Sequence, residues 1–138
     1  MILSCGDALI DFVPVAAADG GEAMRPMVGG SCLNVAIGLA RLGAATGFVG
    51  GISNDLFGRM IAEHALASDV DLRYATRSDR QTTLAFVRII EGESRYAFYD
   101  AQTASREWVY PHGMIAFEAI EAVHVGSTTL VNESGAVQ

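Results

Sequence analysis

The glycine pair Gly29-Gly30 runs directly into the apolar stretch from Ser31 to Leu42, and this junction constrains the chain more than any other feature. Glycine allows the main chain to turn sharply and lets another group approach it closely, and a helix start presents backbone N–H groups that have no intrahelical partner. Asn34 adds an amide that both donates and accepts hydrogen bonds in the first helical turn. The spacing predicts a helix over residues 33–42, apolar nearly all round and so buried on several sides, with Gly43 as its stop.

The elements around this junction alternate between strand and helix. Residues 2–13 predict a first strand in which Ala8, Ile10 and Phe12 face one way and Asp7, Leu9 and Asp11 the other, ended by Pro14. That places Asp11 at the C-terminal end of the strand, where open α/β sheets bind ligands. Residues 46–50 predict a short strand. Ser53-Asn54-Asp55 predicts a helix start with Asp55 at its N-terminus, followed by Leu56, Met60 and His64 at helical spacing to about Ala67. Period-two alternation then appears over 82–89, with Glu91-Gly92-Glu93 turning the chain into Arg95–Tyr99. A helical pattern over 114–122 and a strand over 123–126 follow, with twelve residues after them.

Strand, helix, strand, helix with short links predicts an α/β fold: a Rossmann-like parallel sheet with flanking helices. Two excursions, at 14–28 and 72–100, predict a small β lid over its edge within one unit spanning 1–138. Apolar residues make up 51% and charged residues 18%, which excludes a disordered chain, and a net charge of −7 argues against a nucleic-acid partner. No segment has the uncharged length needed to span a bilayer, and Asp7 and Asp11 interrupt the N-terminal apolar run, so a cytoplasmic protein is expected. Cys5 and Cys32 have no C-x-x-C or histidine partner and read as reduced, packed thiols. His64 and His124 read as packed and His112 as a loop residue, while the glycosylation sequon Asn132-Glu133-Ser134 reads as chance.

With Gly6-Asp7-Ala8-Leu9-Ile10-Asp11 before the junction and Gly51-Ile52-Ser53-Asn54-Asp55-Leu56-Phe57-Gly58 after it, the chain resembles the N-terminal half of the ribokinase-like (PfkB) sugar kinases, most of all fructokinases. By residue chemistry alone Asp11 is either a ligand for sugar hydroxyls or a solvated carboxylate; the resemblance implies the former. It also implies substrate contacts from Gly30 and Asn34, with Gly29 beside them. Tyr99 and Asp100 fall where many sugar and sugar-acid kinases of the family carry Tyr-Arg, and a carboxylate in the arginine slot favours a neutral sugar. The family's Gly-Ala-Gly-Asp segment, which supplies an anion hole and a catalytic aspartate, is absent from these 138 residues. The resemblance therefore implies the sugar-binding part of an ATP- and Mg-dependent kinase, inactive alone, holding neither ATP nor Mg itself, with a small-molecule sugar as partner and a possible homodimer through the lid. Other readings are a 2-dehydro-3-deoxygluconokinase, a nucleoside kinase, and a non-catalytic sugar-binding or oligomerising module.

Overall fold

A computed structural model describes residues 1–113 and 115–131. The first apolar run is two strands and not one. β1 (Ile2–Cys5) lies in a parallel sheet, whereas β2 (Leu9–Ala16) belongs to a separate outer sheet. The chain turns at Gly6, whose φ of 148° few side-chain-bearing residues adopt. Asp11 is accordingly the third residue of an outer-sheet strand, not the end of a central one.

Pro14 does not stop β2, which pairs antiparallel with β3 (Glu22–Gly29) through Pro14 opposite Met24. Pro14 lies past Phe12, the last β2 residue in register with β7 (Thr83–Ile90), so no neighbour on that side requires its N–H. β7 pairs antiparallel with β8 (Glu93–Tyr99), giving an outer sheet in the order β3-β2-β7-β8. Its two hairpins span 9–29 and 83–99, wider at the first excursion and narrower at the second than the sequence suggests.

Between the hairpins the chain builds the core. α1 (Ser31–Arg41) is followed by β4 (Thr46–Val49), with Gly43 at φ 88° ending the helix as expected. β4, β1 and β9 (Ala122–Val125) form the parallel sheet, Ile2 standing level with Thr46 and Ala122. β5 (Gly51–Ser53) pairs in parallel with β6 (Thr76–Ser78), and α2 (Leu56–Leu66) lies between them in sequence. One core cluster joins Leu33, Ile37, Phe48, Ile52 and Ile61 to Ile10 of the outer sheet. A smaller one, of Leu3, Val49 and Trp108, covers the opposite face of the parallel sheet.

α1 is more one-sided than its composition suggests: Cys32, Leu33, Ala36 and Ile37 are buried, while Ser31, Asn34 and Gly38 are exposed. Burying Leu33 and Ile37, at about 1.5–3 kcal/mol each, outweighs the roughly 1 kcal/mol that Gly38 costs inside a helix. In α2 the buried stripe is Gly58, Ile61 and Ala65, whereas Leu56 and His64 are exposed. His64 is thus not packed, and it stands in the last turn of the helix. The expected helix over 114–122 is not formed among the described residues. A single 3-10 turn at Phe117–Ala119 leads almost at once into β9, leaving too few residues for a longer helix. The sequon at Asn132 lies outside the described residues.

Asp55 caps α2 as the sequence indicates, and it also holds the start of β7. Its carboxylate accepts from Gly58 N–H at 2.7 Å, Thr82 N–H at 2.8 Å and the Thr82 hydroxyl at 2.7 Å. Burial alone would raise this carboxyl, but the bonds from Thr82, Gly58 and Ser53 outweigh it and hold the group below its ordinary value. Asp55→Ala should therefore cost about 1–3 kcal/mol at neutral pH. A group with a depressed folded-state pKa stabilises above the ordinary carboxylate range and loses that contribution as pH falls through the depressed value. Denaturant melts of parent and variant should accordingly converge in acid; a gap that stays constant with pH would show that the charge plays no part.

Candidate functional site

The site begins with an aspartate remote in sequence from the helix that it caps. Gly30, at the N-cap position of α1, offers no side chain, and the first turn of α1 contains no acidic residue. Asp7 supplies what is missing: its carboxylate accepts from Ser31 N–H at 3.0 Å and Cys32 N–H at 3.4 Å, and its carbonyl from Leu33 N–H at 3.2 Å. Ser4 adds a second tie, donating to the Cys32 carbonyl at 2.7 Å. Since that uses its only hydrogen, the 2.9 Å contact with His124 Nδ1 has the imidazole as donor, and His124 is half-buried as expected.

These bonds press the glycine junction onto the chain between β1 and β2. A Cβ on Gly30, whose φ is 104°, would stand 2.6 Å from the Asp7 carbonyl oxygen and 2.8 Å from Ala8 Cα. A Cβ on Gly29 would overlap the Asp11 carboxylate. The glycine pair therefore allows both the helix start and Asp11 to approach the same backbone.

Strand parity decides which of the other candidates share a face with Asp11. Asp11 stands level with Met27 on β3 and Ala85 on β7, and Ala85 with Phe98 on β8, so these side chains lie on one face. Tyr99 lies on the other, with its ring packed edge-on against Phe86, itself stacked on Phe12. The structure thus gathers Asp11, Gly29 and Gly30 and leaves Asn34 exposed on the first turn of α1. It does not bring Tyr99 to the Asp11 face; Phe98, 50% exposed, occupies that face instead. Asp100 is paired with Arg106, a cation that the sequence reading did not include.

The electrostatics of the junction are those of one buried and one half-buried carboxylate. Desolvation, and behind it the charge of Asp7, push the Asp11 carboxyl above its ordinary value. The nearby thiols are inert: burial raises Cys5 to about 11, and burial followed by the Asp7 charge raises Cys32 to about 12. Both cysteines are free. Among the described residues no group of three or more His, Cys, Asp or Glu side chains is placed to hold a metal ion. None of their helices is long and apolar enough to cross a membrane. A cavity of about 440 Å³ lies on the far side of the parallel sheet, against Leu3, Val49, Trp108, Val123 and Val125, and its apolar lining does not suit a polyol.

A parallel sheet, a glycine junction at a helix start and an outer β sheet over it define the ribokinase-like α/β fold. The fructokinase from Xylella fastidiosa superposes on 99% of this chain and 43% of its own, with a TM-score of 0.87 at 29% identity. Its structure with bound ATP covers 99% and 42%, with a TM-score of 0.86 at 28% identity. The chain belongs to the pfkB family of carbohydrate kinases, whose sequence pattern matches residues 1–136. A fructokinase of Rhizobium leguminosarum bv. trifolii is 39% identical over 131 residues, which are 95% of this chain and 40% of that protein. The chain thus spans less than half the length of these relatives.

Asp7 and Asp11 should respond oppositely to removal of their charge. Asp7→Ala leaves two helix-start N–H groups without their acceptor and should cost about 1–3 kcal/mol. Asp11→Asn removes a charge that burial and Asp7 disfavour, so its Tm at neutral pH should equal or exceed that of the parent. Because a raised pKa means that the folded parent takes up a proton as pH falls, this difference should close in acid. Thermal melts across pH check both, and a large loss of stability in Asp11→Asn would show that its carboxylate is structural.

Proposed function

We propose that this chain is the sugar-binding portion of an ATP-dependent kinase that phosphorylates a hydroxyl of fructose or a closely similar neutral sugar. The observation that carries the reading is the half-buried Asp11 carboxylate held over Gly29, beside a helix start that bears Gly30 and Asn34. A carboxylate there can accept from two adjacent hydroxyls, and Asn34 can donate and accept at the rim. The outer sheet acts as the lid that excludes water when sugar is bound. ATP, with Mg, supplies the phosphoryl group in the complete enzyme, and neither is assigned to a residue of this chain. The names of the relatives, one of them crystallised with ATP, support this reading. A cytoplasmic location fits such an enzyme.

Lid residues Ile89, Ile90 and Tyr96 are 63%, 48% and 55% exposed, and an apolar rim of this kind suits pairing of two lids in a homodimer. The exposed Val123 and Val125 of β9, together with the cavity beside them, would be covered by further polypeptide in a protein of the relatives' length.

In the complete enzyme, Asp11→Asn should lower kcat/KM for fructose by the equivalent of about 1.5–3 kcal/mol, with folding retained. Coupled assays of ADP release measure it, and unchanged kinetics would remove Asp11 from the site. The 138-residue chain alone should phosphorylate no sugar above a protein-free control, because its sequence lacks the Gly-Ala-Gly-Asp segment. Saturable activity from the purified chain would contradict the assignment of the chemical step to residues outside it.

A further inference from the structure

Asn54, between the end of β5 and the Asp55 cap of α2, gathers two arginines from different elements. Its main-chain carbonyl accepts from Arg59 Nη1 at 3.2 Å, and its side-chain oxygen accepts from Arg77 Nε at 3.3 Å. Asn54 is itself held by the chain after β6: its amide donates to Asp79 Oδ1 at 2.8 Å and its main-chain N–H to the Ser78 carbonyl at 2.8 Å. Strand register explains why the two guanidiniums meet there. Arg77 stands level with Ile52, which shares a core cluster with Ile61 of α2, so Arg77 lies on the face of β5–β6 that α2 covers, and Arg59 is on α2. Arg80, in the turn after β6, donates from Nη1 to the Gln102 carbonyl at 3.4 Å and adds a third cation nearby.

Charge sets these arginines apart from the others. In a chain of net charge −7, Arg73, Arg88, Arg95 and Arg106 each pair with a carboxylate. Among the described residues Arg59, Arg77 and Arg80 form no ion pair, although Asp55 and Asp79 are close in sequence. The Asp55 carboxylate is turned to Gly58 and Thr82, and that of Asp79 to Asn54. Each of the two arginines on Asn54 spends one N–H on a fixed oxygen, which orients the guanidinium in advance of any ligand. On Arg59 this leaves the Nε/Nη2 edge, and on Arg77 the Nη1/Nη2 edge, each a fork that fits two oxygens of a phosphate. The position beside the first turn of α2 favours an anion further.

We propose that Arg59 and Arg77, oriented by Asn54 and with Arg80 beside them, form a binding site for a phosphate group. The site is separate from the Asp11 junction and does not depend on the sugar-binding reading. Phe57, in the first turn of α2, packs edge-on against Phe12 at 5.6 Å, and Phe12 lies on the face of the outer sheet opposite Asp11, so the sheet stands between the two sites.

The test is a heteronuclear NMR titration of the chain with inorganic phosphate and, separately, with glycerol phosphate, chloride being adjusted to hold ionic strength constant. The Arg59 and Arg77 Nε–H signals and the Asn54 side-chain amide should shift together and saturate, while inorganic phosphate leaves the Gly29 and Gly30 amides in place. Arg59→Gln or Arg77→Gln should weaken binding about tenfold or more, and the double variant should abolish it. Arg25→Gln, which removes an exposed arginine of β3, should change nothing. Tighter binding of the ester identifies a phosphate ester as ligand and tighter binding of inorganic phosphate the free ion, and both fit the proposal. Shifts that rise without saturation, or an equal loss in Arg25→Gln, show an adventitious ion only and overturn it. Amide spectra establish that each variant is folded. Where a Gln variant does not fold, Arg59→Lys and Arg77→Lys decide: loss of the fork should still weaken phosphate several-fold, and undiminished affinity overturns the proposal.

Discussion

The contact on which the rest of the site depends is the Asp7 carboxylate at the N-terminus of α1. A helix that begins at a glycine has no side chain of its own to satisfy its first N–H groups, and Asp7 satisfies them from 24 residues away. That single interaction fixes three relationships at once. It sets the direction in which the chain leaves β1, the depth at which α1 sits on the parallel sheet, and the separation between the Gly30–Asn34 segment and β2. Charge at a helix start is stabilised by the aligned peptide dipoles, so the cap also tolerates a carboxylate that is only 5% exposed.

Having one carboxylate so placed changes the character of the next. Asp11 is four residues further on and receives no backbone donor among the described residues, so Asp7 acts on it as a like charge while burial strips its water. The two residues share a side-chain chemistry and differ in what faces them. Asp7 meets N–H groups of the protein and serves the fold. Asp11 overlies Gly29, and among the described residues its carboxylate accepts no hydrogen bond.

The sequence was legible where local chemistry decides structure. Asp55 at the start of α2, Gly43 at the end of α1 and the turn at Glu91-Gly92 all follow from residues near each other in the chain. It was less legible where a distant contact decides. Residues 2–13 carry an unbroken β-like pattern, and only the packing of Gly6 and the demand of α1 for a cap divide them into two strands in two sheets. The buried stripe of α2 depends on which side the sheet lies, so Gly58, Ile61 and Ala65 could not be separated from Leu56 and His64 by spacing alone. Tyr99 illustrates the sensitivity of strands to parity, because one residue separates the Asp11 face from its opposite and the end of a strand gives no local sign of its phase.

Arg106 went unnoticed for a related reason. Six residues after Asp100, in a stretch with neither helical nor strand periodicity, it carries no pattern that would relate it to the outer sheet. Its guanidinium pairs with the Asp100 carboxylate and also donates to the carbonyl of Thr128, so the charge pair and the junction of the two sheets are one piece of structure.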